Sequence, residues 1–292
     1  MDMNMRYGKS LIARILPGVF LLVLAACGDD GVKQEAVPLP QLSPEQVRAL
    51  AGRTFYFAHQ SVGYNIIEGV EKVLARMGMP GLFTVRELKP GEPVPRASLL
   101  HSTIGSNGDP ASKMEEFQSF LEERLGDSRP DLAMLKFCYV DIGRETDVSA
   151  LAGEYTDTMS RLQAEFPQTV FLYSTVPLRV FDNSIKARLK RLLGMEVWGD
   201  RANIKRNEYN EMIRSRFSAS GHLADVADWE SRFPDGREYR VKVLGGEYAA
   251  LVPAYTDDGK HLNAYGQQVV AGRLLMFLAG LVQPGSDEAG ND

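Results

Sequence analysis

Cysteine and histidine are scarce in this chain, with two and four copies among 292 residues. Cys27 and Cys138 cannot build a disulfide framework. With neither Cys-x-x-Cys nor His-Glu-x-x-His present, no zinc site is expected. Basic charge is also short: 33 Lys and Arg face 38 Asp and Glu, a formal net charge of −5. That excludes a sequence-independent nucleic-acid binder, which needs a net basic surface to follow phosphates. No internal repeat is visible, and 44% hydrophobic with 24% charged residues excludes wholesale disorder. A chain of this length buries a sizeable core without staples. Long apolar runs are missing too. The most apolar stretch, 15–24, is broken by Pro17 and Gly18 and is short for a bilayer span.

That stretch has the marks of a leader. Arg6, Lys9 and Arg14 precede it and Leu24-Ala25-Ala26-Cys27 closes it, as in a secretory signal peptide. The last four residues resemble the bacterial lipobox, which implies a lipoprotein signal peptide over 1–26 and lipidation of Cys27. Residues 27–45, with Gly28, Asp29, Asp30, Pro38 and Pro40, suit a flexible tether. The folded domain is expected over 46–284, with a disordered tail at 285–292. The expected location is the bacterial envelope, outer rather than inner membrane because Gly28 follows the cysteine. The N-terminal anchor is the one membrane contact expected. Cys138 closes an apolar run and is read as a small buried hydrophobe.

From Pro44 onward strand and helix patterns alternate. Strand-like runs occur at 54–58, 82–85, 131–139, 169–173 and 222–226. Helical spacing of apolar residues follows 62, fills 112–125, 151–166 and 203–217, and ends the domain at 264–281. This alternation predicts an α/β sandwich around a mostly parallel sheet. The basic stretch 178–199 is read as a surface excursion or short helix.

In such a sheet the ligand sits at the carboxyl ends of the strands. His59-Gln60-Ser61 follows the first strand, and 101–109 follows the second. Asp141 follows the third, and Asp257-Asp258-Gly259-Lys260-His261 precedes the last helix. A hydroxyl, an imidazole, a carboxylate to orient it and donors for an oxyanion make up the inventory for nucleophilic acyl transfer. Asp257 competes with Asp258 for the carboxylate role. Ser61 could equally begin a helix as a cap. His59 is read as a substrate contact or as a group satisfying a strand end, and Asp141 as lining the pocket or capping the next helix. Tyr248 and Tyr255 are candidates to line a sugar site, whereas His101 and His222 have no supporting constellation.

The segment Asp258-Gly259-Lys260-His261-Leu262-Asn263, followed by Gly266, resembles the Asp-x-x-His block of the SGNH (GDSL-type) hydrolases, and the resemblance extends over 53–282. It implies a flavodoxin-like three-layer α/β/α sandwich and a serine esterase needing no cofactor or metal. Its catalytic residues map to Ser61, His261 and Asp258. Arg206-Asn207-x-x-Asn210 also resembles a common pattern of the family, with a packing role. Two blocks depart from it: Gly-Asp-Ser reads His59-Gln60-Ser61, and Gly-x-Asn-Asp reads Cys138-Tyr139-Val140-Asp141. The family implies oxyanion donors from the backbone of Ser61 and of Gly105 or Gly108, and Asn107 is expected to replace the missing asparagine. The α/β-hydrolase pattern fits less well, since Gly-x-Ser-x-Gly reads His59-x-Ser61-x-Gly63 here. The substrate expected from the family is an acyl ester, O-acetyl included, on an envelope or extracellular carbohydrate. A non-catalytic glycan-binding lipoprotein and an O-acyltransferase are the alternatives.

Overall fold

The computed structural model describes residues 38–88, 95–124 and 129–282. The leader, Cys27, the tether up to residue 37 and the tail at 285–292 lie outside them. The chain forms α1 (Pro44–Ala51), β1 (Phe55–His59), α2 (Ser61–Arg76), β2 (Thr84–Glu87), β3 (Ser98–Thr103) and α3 (Pro110–Ser119). It continues through β4 (Leu132–Leu135), α4 (Val148–Glu165), β5 (Val170–Ser174), α5 (Ile185–Leu192) and α6 (Asp200–Phe217). It ends with β6 (Leu223–Ala224), α7 (Val226–Ser231), β7 (Arg240–Val243), β8 (Gly246–Ala249) and α8 (Ala264–Leu281).

Six strands pair in the order β2-β3-β1-β4-β5-β6, and every pairing is parallel. Without the added edge strand β2, this is the 2-1-3-4-5 order of flavodoxin-like sheets. The order reverses between β1 and β4, so a crevice is expected at their carboxyl ends. The two-residue alternation of a strand divides the core. Phe55 and Phe57 of β1 pack in one apolar cluster with residues of α2 and α8. Tyr56 and Ala58 pack in another with residues of α3, α4 and α6. Burial on both faces explains why β1 is a continuous apolar run and not an alternating one. The helix layer beneath the site is tight. A Cβ at Gly69 of α2 would lie 2.2 Å from the Gln267 carbonyl of α8, so only glycine lets the two helices approach this closely.

Several expectations change. Residues 38–45 do not hang free as a tether: Leu39 and Leu42 pack on the core. Ser43 caps α1 through a reciprocal bond with Gln46. The second strand spans Thr84–Glu87 and pairs with β3, which has no counterpart among the expected strands. The antiparallel hairpin β7–β8 was not expected either. The stretch 178–199 does contain the short helix that was one of its two expected forms, α5. Among the described residues, no helix is long and apolar enough to cross a membrane.

Candidate active site

Ser61 begins α2 two residues after β1 ends, at the carboxyl edge of the sheet beside the β1/β4 reversal. The turn is compact because Gly63 leaves room for the His59 ring, which a Cβ there would meet at 2.1 Å. Gln60, the residue before Ser61, gives no side-chain cap and reaches across the turn instead. Its Nε2 donates to the carbonyls of Ile104 (2.5 Å) and Gly105 (2.9 Å), tying the loop after β3 to the loop after β1. The first N–H groups of a helix lack the usual partner four residues back; that of Gly63 goes to the Gln60 carbonyl at 2.7 Å, which leaves those of Ser61 and Val62 as the backbone donors opening α2.

His261 arrives on the loop before α8. Thr256 and Leu262 pair across that loop, and Asn65 of α2 accepts from the Leu262 N–H at 3.2 Å. Asn263 caps α8 by accepting from Tyr265 and Gly266 at 3.1 and 3.0 Å. Within this frame His261 Nε2 lies 3.1 Å from Ser61 Oγ, and His261 Nδ1 lies 2.8 Å from Asp258 Oδ2. Asp258 Oδ1 also accepts the His261 N–H at 2.8 Å and the Lys260 N–H at 2.9 Å. Partial burial opposes ionisation of Asp258, but the His261 N–H, its imidazole and the Lys260 N–H outweigh it, holding the carboxyl well below the usual range. An ionised carboxylate only accepts, so Nδ1 carries the hydrogen and Nε2 is left to accept the Ser61 O–H. Asp257, the competing carboxylate, is engaged elsewhere: Asn263 Nδ2 donates to it at 3.0 Å.

Asp141, expected to line the pocket or cap the following helix, does neither; it instead closes the single turn 139–141 that it ends. It is buried and makes a buried ion pair with Lys113 (2.5 Å), while accepting the N–H groups of Cys138 (2.6 Å) and Gly108 (2.8 Å). The following helix, α4, is capped by Asp147. Asp141 therefore sets the path of the loop after β4. It also occupies the Gly108 N–H, while Glu116 accepts the Gly105 N–H at 2.7 Å. Both glycine N–H groups expected at the oxyanion are thus already committed. Asn107 is exposed, and its Oδ1 accepts from Lys113 Nζ at 3.2 Å, which leaves Nδ2 as the side-chain donor.

His59 is also no substrate contact, being fully buried. Its Nδ1 faces the Gln60 carbonyl at 2.9 Å, which requires a hydrogen there. Its Nε2 then accepts from Nδ1 of His101 at 3.2 Å. Burial, then the nearby Lys136 charge, push the His59 pKa down to about 3. His101, which had no constellation in the sequence, is the partner of this pair. Tyr255 is buried and donates to the Arg232 carbonyl at 2.7 Å, and Tyr248 sits on β8. Neither tyrosine lines a cleft near the triad.

Arg206, expected in a packing role, is buried and holds the loop after β4. Its Nε donates to the Tyr139 carbonyl at 2.7 Å, and burial, with Arg179 nearby, lowers its pKa to about 10. The ring of Tyr139 sits edge-on to His261, 5.8 Å between centroids, and Cys138 Sγ lies 4.0 Å from Ser61 Oγ. Cys138 is buried, as expected of a small hydrophobe. Two clefts adjoin the triad. One, of about 590 Å³, runs from Tyr139 and Arg206 to Arg144, Arg179 and Trp198. The other, of about 480 Å³, runs from Asp258 and Gly259 to Lys190 and Trp198. Ser61 lines neither; it lies where their Tyr139 and Asp258 ends meet His261. Among the described residues, no group of three or more His, Cys, Asp or Glu side chains could hold a metal ion.

No protein-family model matches the chain, and no curated protein matches it. Solved structures do. The chain is similar to a structure from Streptococcus pneumonia described as a candidate platelet activating factor, at 15% identity and a TM-score of 0.47, over 80% of this chain and 90% of that one. It is similar to Axe2, an acetylxylan esterase from Geobacillus stearothermophilus, at 12% identity and a TM-score of 0.43, over 78% and 94%. A candidate GDSL-like lipase from Parabacteroides merdae is similar at 14% identity and a TM-score of 0.46, over 84% and 100%. With identities this low, the reaction has to be read from the site itself.

Proposed function

We propose that this protein is a serine esterase of the SGNH type. The observation that supports this most directly is the unbroken chain Ser61 Oγ–His261 Nε2–Asp258, with 3.1 Å and 2.8 Å links, at the start of a helix. A serine hydroxyl is a weak nucleophile until a neighbouring base removes its proton. His261 Nε2 takes that proton as Ser61 Oγ attacks the ester carbonyl, and Asp258 stabilises the imidazolium that forms. The developing oxyanion is met by the N–H groups opening α2 and by Asn107 Nδ2. His261 then returns the proton to the leaving alcohol. A water attacks the acyl-enzyme by the same route in reverse.

The acyl group is carried by an envelope or extracellular carbohydrate, O-acetyl esters included, and the protein is anchored in the envelope through lipidated Cys27. The family resemblance of the Asp258–His261 block supports the first statement, and the lipobox-like 24–27 supports the second. Turnover of 4-nitrophenyl acetate and of acetylated oligosaccharides, with and without acceptor sugars, tests the reaction. Release of acetate to water supports an esterase, whereas transfer to the acceptor makes the protein an acyltransferase. Saturable glycan binding without turnover makes it a binding protein. Intact-mass analysis of material expressed in a bacterium tests the anchor, since Cys27→Ala should lose the acyl mass.

A further inference from the structure

The largest exposed apolar side chains of the described residues are concentrated in one short stretch. Ile185 is 86% exposed, Leu192 82% and Trp198 83%, with Leu189, Leu193 and Met195 also exposed. At about 100° per residue, Ile185, Leu189, Leu192 and Leu193 share one side of α5 and its end, facing away from the protein. Ala187, on the opposite side, is the buried residue of the helix. Lys186 and Arg188 flank the apolar stripe on either side, and Lys190 follows Lys186 along one flank. Among the described residues, Lys186, Arg188 and Lys190 form no ion pair. The fourth basic residue, Arg191, is committed to Asp200 at 2.8 Å. Asp182, just before α5, feels the Lys190 charge, yet a chain of net charge −5 still concentrates positive charge around its most exposed apolar surface.

We infer that α5 and Trp198 form a docking surface for an anionic phospholipid membrane. A helix with an outward apolar stripe bordered by Lys and Arg lies in the interface between headgroups and acyl chains. Tryptophan prefers that same depth, because its ring is apolar and its N–H is wet. The flanking charges select an anionic surface over a neutral one. A second copy docking through the same face would set its own Lys186, Arg188 and Lys190 against these, and like charges would repel. The consequence for the site is one of place. Lys186, Lys190 and Trp198 line the same cleft as Asp258, so docking sets the mouth of that cleft at the membrane surface. The surface does not depend on Ser61 being a nucleophile.

Trp198 gives the test its own signal, because the chain has two tryptophans and the other, Trp229, packs against Phe277. Full-length protein is mixed with vesicles of phosphatidylglycerol or of phosphatidylcholine. Phosphatidylglycerol should shift the emission to the blue and brominated acyl chains should quench it, with both effects absent in Trp198→Phe. Lys186→Glu/Arg188→Glu/Lys190→Glu should weaken the response about a hundredfold or more, since each basic residue near an anionic surface contributes roughly a fivefold factor. Ile185→Ser/Leu192→Ser should remove the blue shift, and Ser61→Ala should leave it unchanged. Equal response to both lipids, no response to either, or a blue shift that appears on concentrating the protein without vesicles would each overturn the inference. The last result would assign the surface to self-association.

Discussion

At the carboxyl end of β1 the chain places two polar clusters side by side. Toward α8, Ser61, His261 and Asp258 are partly open to solvent, linked in a line from hydroxyl to imidazole to carboxylate. Toward α3, Lys113, Asp141, His59 and His101 are buried, and their hydrogen bonds go to one another, to the Asn107 side chain and to backbone groups of the loops around the site. Both clusters contain a carboxylate and an imidazole, so residue type does not separate them. Exposure and partners do. A buried charge is tolerated only when it is paired, and once paired it fixes geometry and moves no protons. The open cluster sets its imidazole between a hydroxyl and a carboxylate beside a cleft, the arrangement that general acid–base chemistry requires.

Variants that attack one cluster and spare the other sharpen this contrast. The largest effects belong to the open cluster: Ser61→Ala and His261→Ala should each lower kcat by on the order of 10⁴-fold or more. The double variant should be scarcely worse, and Asp258→Asn should lose less than either, because it disturbs orientation without removing the base. Thermal denaturation of all four should stay close to wild type. Next comes the buried cluster, where Asp141→Ala leaves the buried Lys113 ammonium without its carboxylate. That should cost about 3–5 kcal/mol in urea unfolding, and a loss under about 1 kcal/mol would break the assignment of Asp141 to the scaffold.

Asn107 has its oxygen held by Lys113, and its amide donor is the one proposed for the oxyanion. Asn107→Ala should lower kcat by roughly 10²–10³-fold with KM little changed. A loss below about fivefold gives the oxyanion to the α2 N-terminus alone. The smallest effect is in pH. Between about 6.5 and about 3 the unfolded chain protonates at His59 while the folded protein does not. Stability should therefore fall as pH drops through that window, by up to about 1.4 kcal/mol per pH unit from this residue. Urea midpoints at pH 7 and pH 5 should show a shallower fall in His59→Phe than in wild type. His101, whose pKa burial also lowers against the pull of Glu87, keeps part of the slope.

The difference between the clusters also explains what could be read from the sequence. Ser61 was visible because a serine directly after an apolar strand lies where an α/β fold gathers its site. His261 and Asp258 were visible because their three-residue spacing lets one loop close the contact. Gly105, Gly108, His59 and Asp141 sit at equally suggestive positions, yet their partners come from elsewhere. Glu116 lies 11 residues from Gly105, Asp141 lies 33 from Gly108, and His101 lies 42 from His59. No local pattern carries such pairings. The strand β3 was hidden by its polar members, Ser98, His101 and Ser102, all buried; the last two are satisfied by distant groups, His59 and the Tyr56 hydroxyl at 2.6 Å. The hairpin β7–β8 was hidden by its turn, where Leu244 takes the positive φ (49°) that Asn or Gly more often supplies. The layered α/β architecture survives these omissions because helical and strand periodicities are set by each segment's own residues.

The central claim is that Ser61 is a nucleophile activated by His261, and labelling by a fluorophosphonate probe tests it most directly. The probe needs an activated serine but no knowledge of the natural ester. Full-length wild type should gain the mass of one adduct, and peptide mapping should place it on Ser61. Labelling should be lost in Ser61→Ala, strongly slowed in His261→Ala, and retained in Asn107→Ala at a reduced rate. An adduct on any other residue, or undiminished labelling of Ser61→Ala, would contradict the account.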